Sequence, residues 1–345
     1  MKEGDAPPLV SRLRASMEPI VSLTERQVSA IEGFRTALRE GDYSFSPNPC
    51  LCGARDDVLI ACRDRYGLEI CTVLCHSCGL LRTDPYFDPE SLLNFYRRHY
   101  RPIYTGEEFS PPSFFEEQRA HGEEIIRFLK TKGVCFPGRV LEVGCGAGGI
   151  LEAFRREGAR VAGCDPGKSF LEYGRKKGLA LEAGGAENLN QYAPADLVIL
   201  AHVLEHFRDP LAELRKIRHL LAPEGLLYVE VPGLFWIEKS YSGDFGRYLQ
   251  NAHVYHFCLE SLDYVLSLSG LSRQAGNEEV RAIYSYSNVS PLRPSHLAEK
   301  TLKYLNRLEQ RRQSMIWQGR LFSPIRFLYQ FCCLCSLSRE AKASK

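Results

Sequence analysis

Residues 139–151 read RVLEVGCGAGGIL. Three apolar residues, Val140, Leu141 and Val143, run directly into glycines at 144, 146, 148 and 149, and Ile150 and Leu151 open a new apolar stretch. The pattern predicts a buried parallel strand, a tight turn and a helix N-terminus within thirteen residues. Glycines suit such a turn because its backbone needs positive φ and must let a ligand approach without a Cβ in the way. The free N–H groups of the helix start then favour a polar or anionic ligand, so the segment reads as a nucleotide-cofactor loop.

Two cofactor classes fit the loop alone. Gly144, Gly146 and Gly149 satisfy the dinucleotide pattern G-x-G-x-x-G, with Asp165 suitably placed for a ribose contact. Glu142, Gly144, Gly146 and Gly148 equally satisfy E-x-G-x-G-x-G, the loop of class I methyltransferases that use S-adenosylmethionine (SAM).

Composition sets the bounds. The chain has 345 residues, 44% hydrophobic and 25% charged, enough for a sizeable core in one large domain or a few smaller ones. A net charge of +2 gives no general attraction for nucleic acid. Thirteen cysteines behind an N-terminus without an apolar leader core point to a reducing cytoplasm, where cysteines are thiols or metal ligands.

Residues 1–47 are expected to hold one amphipathic helix, on Val28, Ile31, Phe34 and Leu38. Residues 48–112 carry two cysteine pairs. Cys75 and Cys78 form C-x-x-C-G and Cys50 and Cys52 form the tighter C-x-C-G, with about two dozen strand-like residues between. Four thiolates close a tetrahedral shell, so the reading is a small ribbon with structural zinc on Cys50, Cys52, Cys75 and Cys78. Cys62 and Cys71 are alternative ligands. The acids of this region balance its arginines, which argues against a phosphate-tracking surface. Tyr96, Tyr100 and Tyr104 line either a pocket or a packing surface.

From residue 113 strands and helices alternate, the pattern of a parallel sheet with crossover helices. EVGCGAG, GCDPG with Asp165, GGAENL, DLVILAHVLEHFRDP and LAPEGLLYVEVPG follow in order. Together they resemble the class I SAM-dependent methyltransferases. The resemblance implies a Rossmann-like α/β fold over 113–290: a seven-stranded sheet with one antiparallel strand, a small zinc ribbon before it and a helical tail (291–345) after it. It also implies that the glycine loop with Glu142 meets the methionine part of SAM and Asp165 holds the ribose. Ala186 and Glu187 lie along adenine, and His202 sits close to SAM. Gly185 stands where the family often has an acid.

With the ribbon and the later RYLQNAHVYHFCLESLDYVLSLSGL, the chain is similar to methyltransferases that accompany sugar and surface-polysaccharide enzymes. Deoxysugar C-methyltransferases look alike but carry tyrosine at the position of Gln250, which favours O-methylation of a sugar or glycan here. Removing a hydroxyl proton needs a base, and histidine works near neutral pH. His253 aligns with the histidine of the sugar enzymes and His206 is the second candidate; His256 reads as a core residue. The basic tail, ending in LFSPIRFLYQFCCLCSL, is either packed on the domain or placed at the inner membrane surface, where a lipid-linked acceptor would be met. The rival functions are a zinc-ribbon RNA methyltransferase and a non-catalytic SAM-binding scaffold; the oligomeric state is left open.

Overall fold

The computed structural model describes residues 11–13, 18–105, 111–134, 138–287 and 290–314. The apolar end of the tail, with Cys332, Cys333 and Cys335, lies outside the described residues.

The strands are β1 (Phe45–Ser46), β2 (Asp57–Arg63), β3 (Glu69–Cys75), β4 (Leu81–Thr83), β5 (Tyr86–Phe87), β6 (Arg139–Val143), β7 (Arg160–Asp165), β8 (Ala180–Ala183), β9 (Ala195–Ala201), β10 (Leu221–Glu230), β11 (Tyr255–His256), β12 (Leu271–Gly276) and β13 (Arg281–Tyr286). Seven form one sheet in the order β12-β13-β10-β9-β6-β7-β8. The pairs from β10 to β8 are parallel, and β13 runs antiparallel to both neighbours. Strand order reverses between β6 and β9, so their carboxyl ends open a crevice where ligands of such sheets bind. Apolar residues cover both faces, which is why β6 and β9 read as near-continuous apolar runs.

A second sheet has the order β11-β4-β3-β2. Its fourth strand comes from beyond β10: Tyr255 pairs with Arg82 and His256 with Leu81. The hydrogen-bond network of the cysteine-bearing region therefore takes in residues far down the chain. Arg82, fully buried, ties this sheet together through paired bonds to Asp57 and one to the Asn48 carbonyl.

The N-terminal helix, Glu25–Glu40, is capped by Thr24 and Gln27 and buries Ile31, Phe34 and Ala37. Val28, counted on its apolar face, is instead exposed; Ala37 takes the inward position. Phe34 is the reason the helix docks, since it meets Tyr43, Phe87 and Phe95 at ring distances of 5.2–6.2 Å. The helix at 297–314 packs too, with Leu297, Ala298, Leu305 and Leu308 in the cluster that holds Leu74 and Leu81. Its basic side chains are largely engaged: Lys300 with Glu260, Lys303 with Glu299, and Arg307 and Arg311 with Glu238. Among the described residues no helix is long and apolar enough to cross a membrane.

The helix Pro111–Thr131 lies against the helix Gly149–Arg156 that follows the glycine loop. They approach closely at Gly122, where a Cβ would sit 2.8 Å from the Ala153 Cβ and 2.9 Å from the Ile150 backbone. Gly122→Val should destabilise the protein by about 2 kcal/mol through overpacking. The expected readout is a lower urea midpoint with an unchanged slope; an unchanged midpoint would show that the helices separate freely.

Candidate active site

The glycine loop forms as its sequence requires. Gly144, Gly146 and Gly148 have φ of +75°, +55° and +81°. A Cβ at Gly144 would overlap Val203, and one at Gly146 would meet Phe114 and Gln118 at 2.8 Å. Gln118 is a loop-fixing residue that the sequence did not reveal. Its Oε1 accepts from the N–H groups of Ala147 and Gly149, and its Nε2 donates to the Cys145 carbonyl. Its partners are backbone atoms some thirty positions away, so no motif betrays it.

Asp165 ends β7, accepting the Gly146 N–H on Oδ2 (3.0 Å) and the Gly167 N–H on Oδ1 (2.6 Å). Each oxygen keeps a lone pair for a ribose hydroxyl. Burial raises its pKa, opposed by these two N–H groups and by Arg101. Glu142 is fully buried one strand away with Oε2 unpartnered, and burial, then Asp165, pushes it up to about 8. That orphaned acid beside a Cβ-free cradle fits the amino end of SAM. Ala186 is fully buried. Glu187 is held by Lys216 at 3.3 Å.

Past β9 and β10 the chain assembles imidazoles and carboxylates. His202 has φ +56°, uncommon for a residue with a side chain, and is half-exposed between Glu205 and Glu230, each 3.7 Å away. Burial opposes its protonation, but Glu205 and Glu230 outweigh it and raise its pKa. Burial would also raise Glu230, yet His121, His202 and Tyr228 bring it down to about 2. Glu205 is buried and neither of its oxygens has a partner.

His206 and His253, the two predicted bases, meet edge to face with ring centroids 4.9 Å apart. His206 Nδ1 lies 3.0 Å from the Ala252 carbonyl and 2.9 Å from the Tyr96 hydroxyl. Nδ1 accepts from the Tyr96 hydroxyl in one tautomer and donates to the Ala252 carbonyl in the other, which leaves Nε2 its lone pair. His253 is buried, and burial, then His206 and His256, hold its pKa well below 6.5, so it is neutral at pH 7. Tyr96, Tyr100 and Tyr104 follow one another with ring centroids 4.8 Å apart, and Tyr96 and Tyr100 meet His206 edge to face.

The loop carrying His253 is pinned along its backbone. Asn251 N–H donates to Asp64, Ala252 N–H to the Tyr104 hydroxyl and Val254 N–H to the Glu205 carbonyl, all within 2.9 Å. Thr83 donates its N–H to the Val254 carbonyl and its hydroxyl to the His253 carbonyl. The Tyr86 hydroxyl donates to the Asn251 carbonyl. Asp64, Thr83 and Tyr86 belong to the cysteine-bearing region, and none was legible as a site residue.

In that region Cys50, Cys52, Cys75 and Cys78 converge. The sulfurs of Cys50 and Cys78 are 3.4 Å apart, those of Cys52 and Cys75 are 3.6 Å apart, and all four lie within 4.8 Å of one another. Tetrahedral zinc with bonds of about 2.3 Å spaces its sulfurs by about 3.8 Å, so the set fits the metal, and it is too open for disulfides. Gly53 and Gly79 supply the turns beneath, with φ of +80° and +72°. Cys62 and Cys71 lie outside the cluster.

His256 is fully buried without a partner for either ring nitrogen, and burial lowers its pKa to about 3. The unfolded chain takes up a proton at this residue below about pH 6.5 while the folded chain does not. Stability should therefore fall by about 1.4 kcal/mol per pH unit from pH 6.5 towards pH 3 on its account. His256→Phe should flatten this acid limb in urea titrations; an unchanged limb would mean that His256 protonates in the folded protein.

Residues 115–274 match the family model of a methyltransferase domain. The chain is similar to the ubiquinone biosynthesis O-methyltransferase of Vibrio campbellii, 39% identical over 112 residues, covering 29% of this chain and 45% of the relative. It is also similar to the C-methyltransferase NovU of Streptomyces niveus, 28% identical over 205 residues, covering 58% of this chain and 46% of the relative. The chain thus spans less than half the length of these relatives. Among solved structures it is similar to SAM-bound CalS10, an amino pentose methyltransferase from Micromonospora echinaspora, at 17% identity, 55% and 96% coverage and a TM-score of 0.38. With the loop, Asp165 and the seven-stranded sheet in place, the chain carries a SAM-dependent methyltransferase domain.

Proposed function

We propose that the chain transfers a methyl group from SAM to a hydroxyl of a sugar or glycan intermediate, with His253 or His206 accepting the hydroxyl proton. The observation that carries this reading is the pair of imidazoles in contact past β9 and beside Tyr96 and Tyr100, with His253 held neutral by burial. Such an arrangement offers hydrogen bonds to a polyol and an uncharged base for its proton. SAM supplies an electrophilic methyl on its sulfonium. Glu142 and the loop glycines would receive its amino acid end, Asp165 its ribose and Ala186 its adenine edge, with Glu187 beside it and His202 near the sulfonium. The protein adds orientation and exclusion of water.

Structural zinc at Cys50, Cys52, Cys75 and Cys78 would secure the sheet that pins the His253 loop. The cytoplasm is the expected compartment. Nucleic acid is disfavoured by the acid–base balance of residues 48–112. Contact of the tail with the inner membrane surface remains part of the proposal for a lipid-linked acceptor.

The test incubates the protein with methyl-labelled SAM and a host extract, then counts label in nucleotide-sugar, lipid, RNA and protein fractions. Label in nucleotide-linked sugar or lipid-linked glycan is expected. Label in RNA would overturn the substrate class, and no label with SAM bound would favour a scaffold. Asp165→Ala should weaken SAM binding about 10- to 100-fold, the loss of charge-assisted bonds to two hydroxyls. His253→Ala should keep SAM affinity and slow turnover by about 10²- to 10⁴-fold. Normal SAM affinity in the first variant would remove the ribose role, and full activity in the second would remove His253 as base.

A further inference from the structure

Methylation of a hydroxyl leaves one proton behind in every turnover. The O–H bond breaks, a C–O bond forms, the C–S electron pair returns to sulfur and the proton passes to the base. The base must then be emptied before the next cycle. His253 is buried, and only 16% of the His206 side chain is exposed. In the tautomer that donates Nδ1–H to the Ala252 carbonyl, a proton taken on Nε2 also leaves from Nε2.

The group facing Nε2 is Glu205, whose Oε1 is 3.9 Å away. The same Oε1 lies 3.7 Å from His202 Nδ1. Both Glu205 oxygens are buried without a partner, an arrangement that native proteins avoid unless something visits those atoms. His202 continues the line outward: its side chain is 49% exposed, and its backbone is held in the left-handed region at φ +56°. That strained backbone places the imidazole between the buried acid and solvent.

We propose that Glu205 and His202 form the exit route for the reaction proton, from the His206–His253 pair to bulk water. This rests on the O-methylation reading above. At 3.7–3.9 Å each hop takes one bridging water or a small rotation of the carboxylate. The charged and titratable groups facing His202 are Glu205, Glu230, His121 with its ring 5.9 Å away, and Arg281. Glu230 is an anchor rather than a carrier, because His121, Tyr228 and Arg281 already occupy it. Glu205 has no such ties and is free to alternate between its two histidine neighbours.

The experiment uses the full chain, SAM, and the nucleotide-sugar fraction of host extract as acceptor, comparing wild type with His202→Ala and His202→Gln. Single-turnover methyl transfer and steady-state kcat are measured with increasing imidazole. The expected result, with SAM saturating for each variant so that a change in its affinity does not enter, is a kcat lowered at least about 10-fold relative to the single-turnover rate. Imidazole should then restore kcat in proportion to its concentration, which a merely structural role would not allow. A single-turnover rate that falls with kcat, an unchanged kcat, or a deficit that imidazole does not relieve would overturn the proposal. Metal content gives an acceptor-free check: a second metal ion per chain, lost in Glu205→Gln, would make Glu205 a ligand and also overturn it. Failure of the O-methylation reading is distinguishable, because wild type itself would then give no labelled methyl ether.

Discussion

The constraint on which the site depends is the hydrogen bonding of one short buried backbone, residues 250–256. A buried amide or carbonyl left unpaired costs about 1–3 kcal/mol, so a loop lodged between two sheets needs a partner at nearly every position. Here those partners come from both sides. The Glu205 carbonyl of the methyltransferase domain accepts the Val254 N–H, while Asp64, Thr83, Tyr86 and Tyr104 pair with groups on Asn251 to Val254. β11 then continues the loop as the fourth strand of the smaller sheet. His253 is consequently fixed by elements that are remote in sequence and belong to two different sheets.

This arrangement assigns the cysteine-bearing region a task beyond its own stability. Cys75 ends β3, Cys78 follows it by three residues, and β4 begins at Leu81. Four converged sulfurs therefore secure the strand that β11 pairs with. On the far side Gly79 is capped by Leu297, where a Cβ would sit only 2.6 Å from that side chain. The tail helix thus closes over the knuckle, and Lys300, Arg307 and Arg311 tie it to Glu260 and Glu238 of the methyltransferase domain. Burial keeps His253 neutral and ready to accept a proton, while Glu205 and Glu230 raise the pKa of His202 and Glu230 itself stays ionised.

Much of the fold was legible because it is written in local pattern. RVLEVGCGAGGIL predicts strand, turn and helix from its own residues, and the strand-ending Asp165 follows from the same logic. The cysteine pairs announce their convergence through spacing. What stayed hidden depends on distant partners. Gln118 holds backbone atoms of the loop, and Asp64 and Thr83 hold backbone atoms near 251–254, so no side-chain motif marks them. The histidines could be ranked but not connected, since the contact of His206 with His253 arises only when β11 joins the ribbon sheet. Val28 shows the opposite error, an apolar residue at helical spacing that faces solvent because Phe34 sets the docking angle.

The most direct test is amide hydrogen exchange of the full chain, zinc-loaded and then treated with a zinc chelator. The account predicts that protection across residues 250–256 collapses while the amides of Gly144 to Gly149, bonded to Cys164, Asp165 and Gln118, stay protected. Unchanged protection at 250–256 would contradict it, showing that the loop is held independently of metal at the four cysteines.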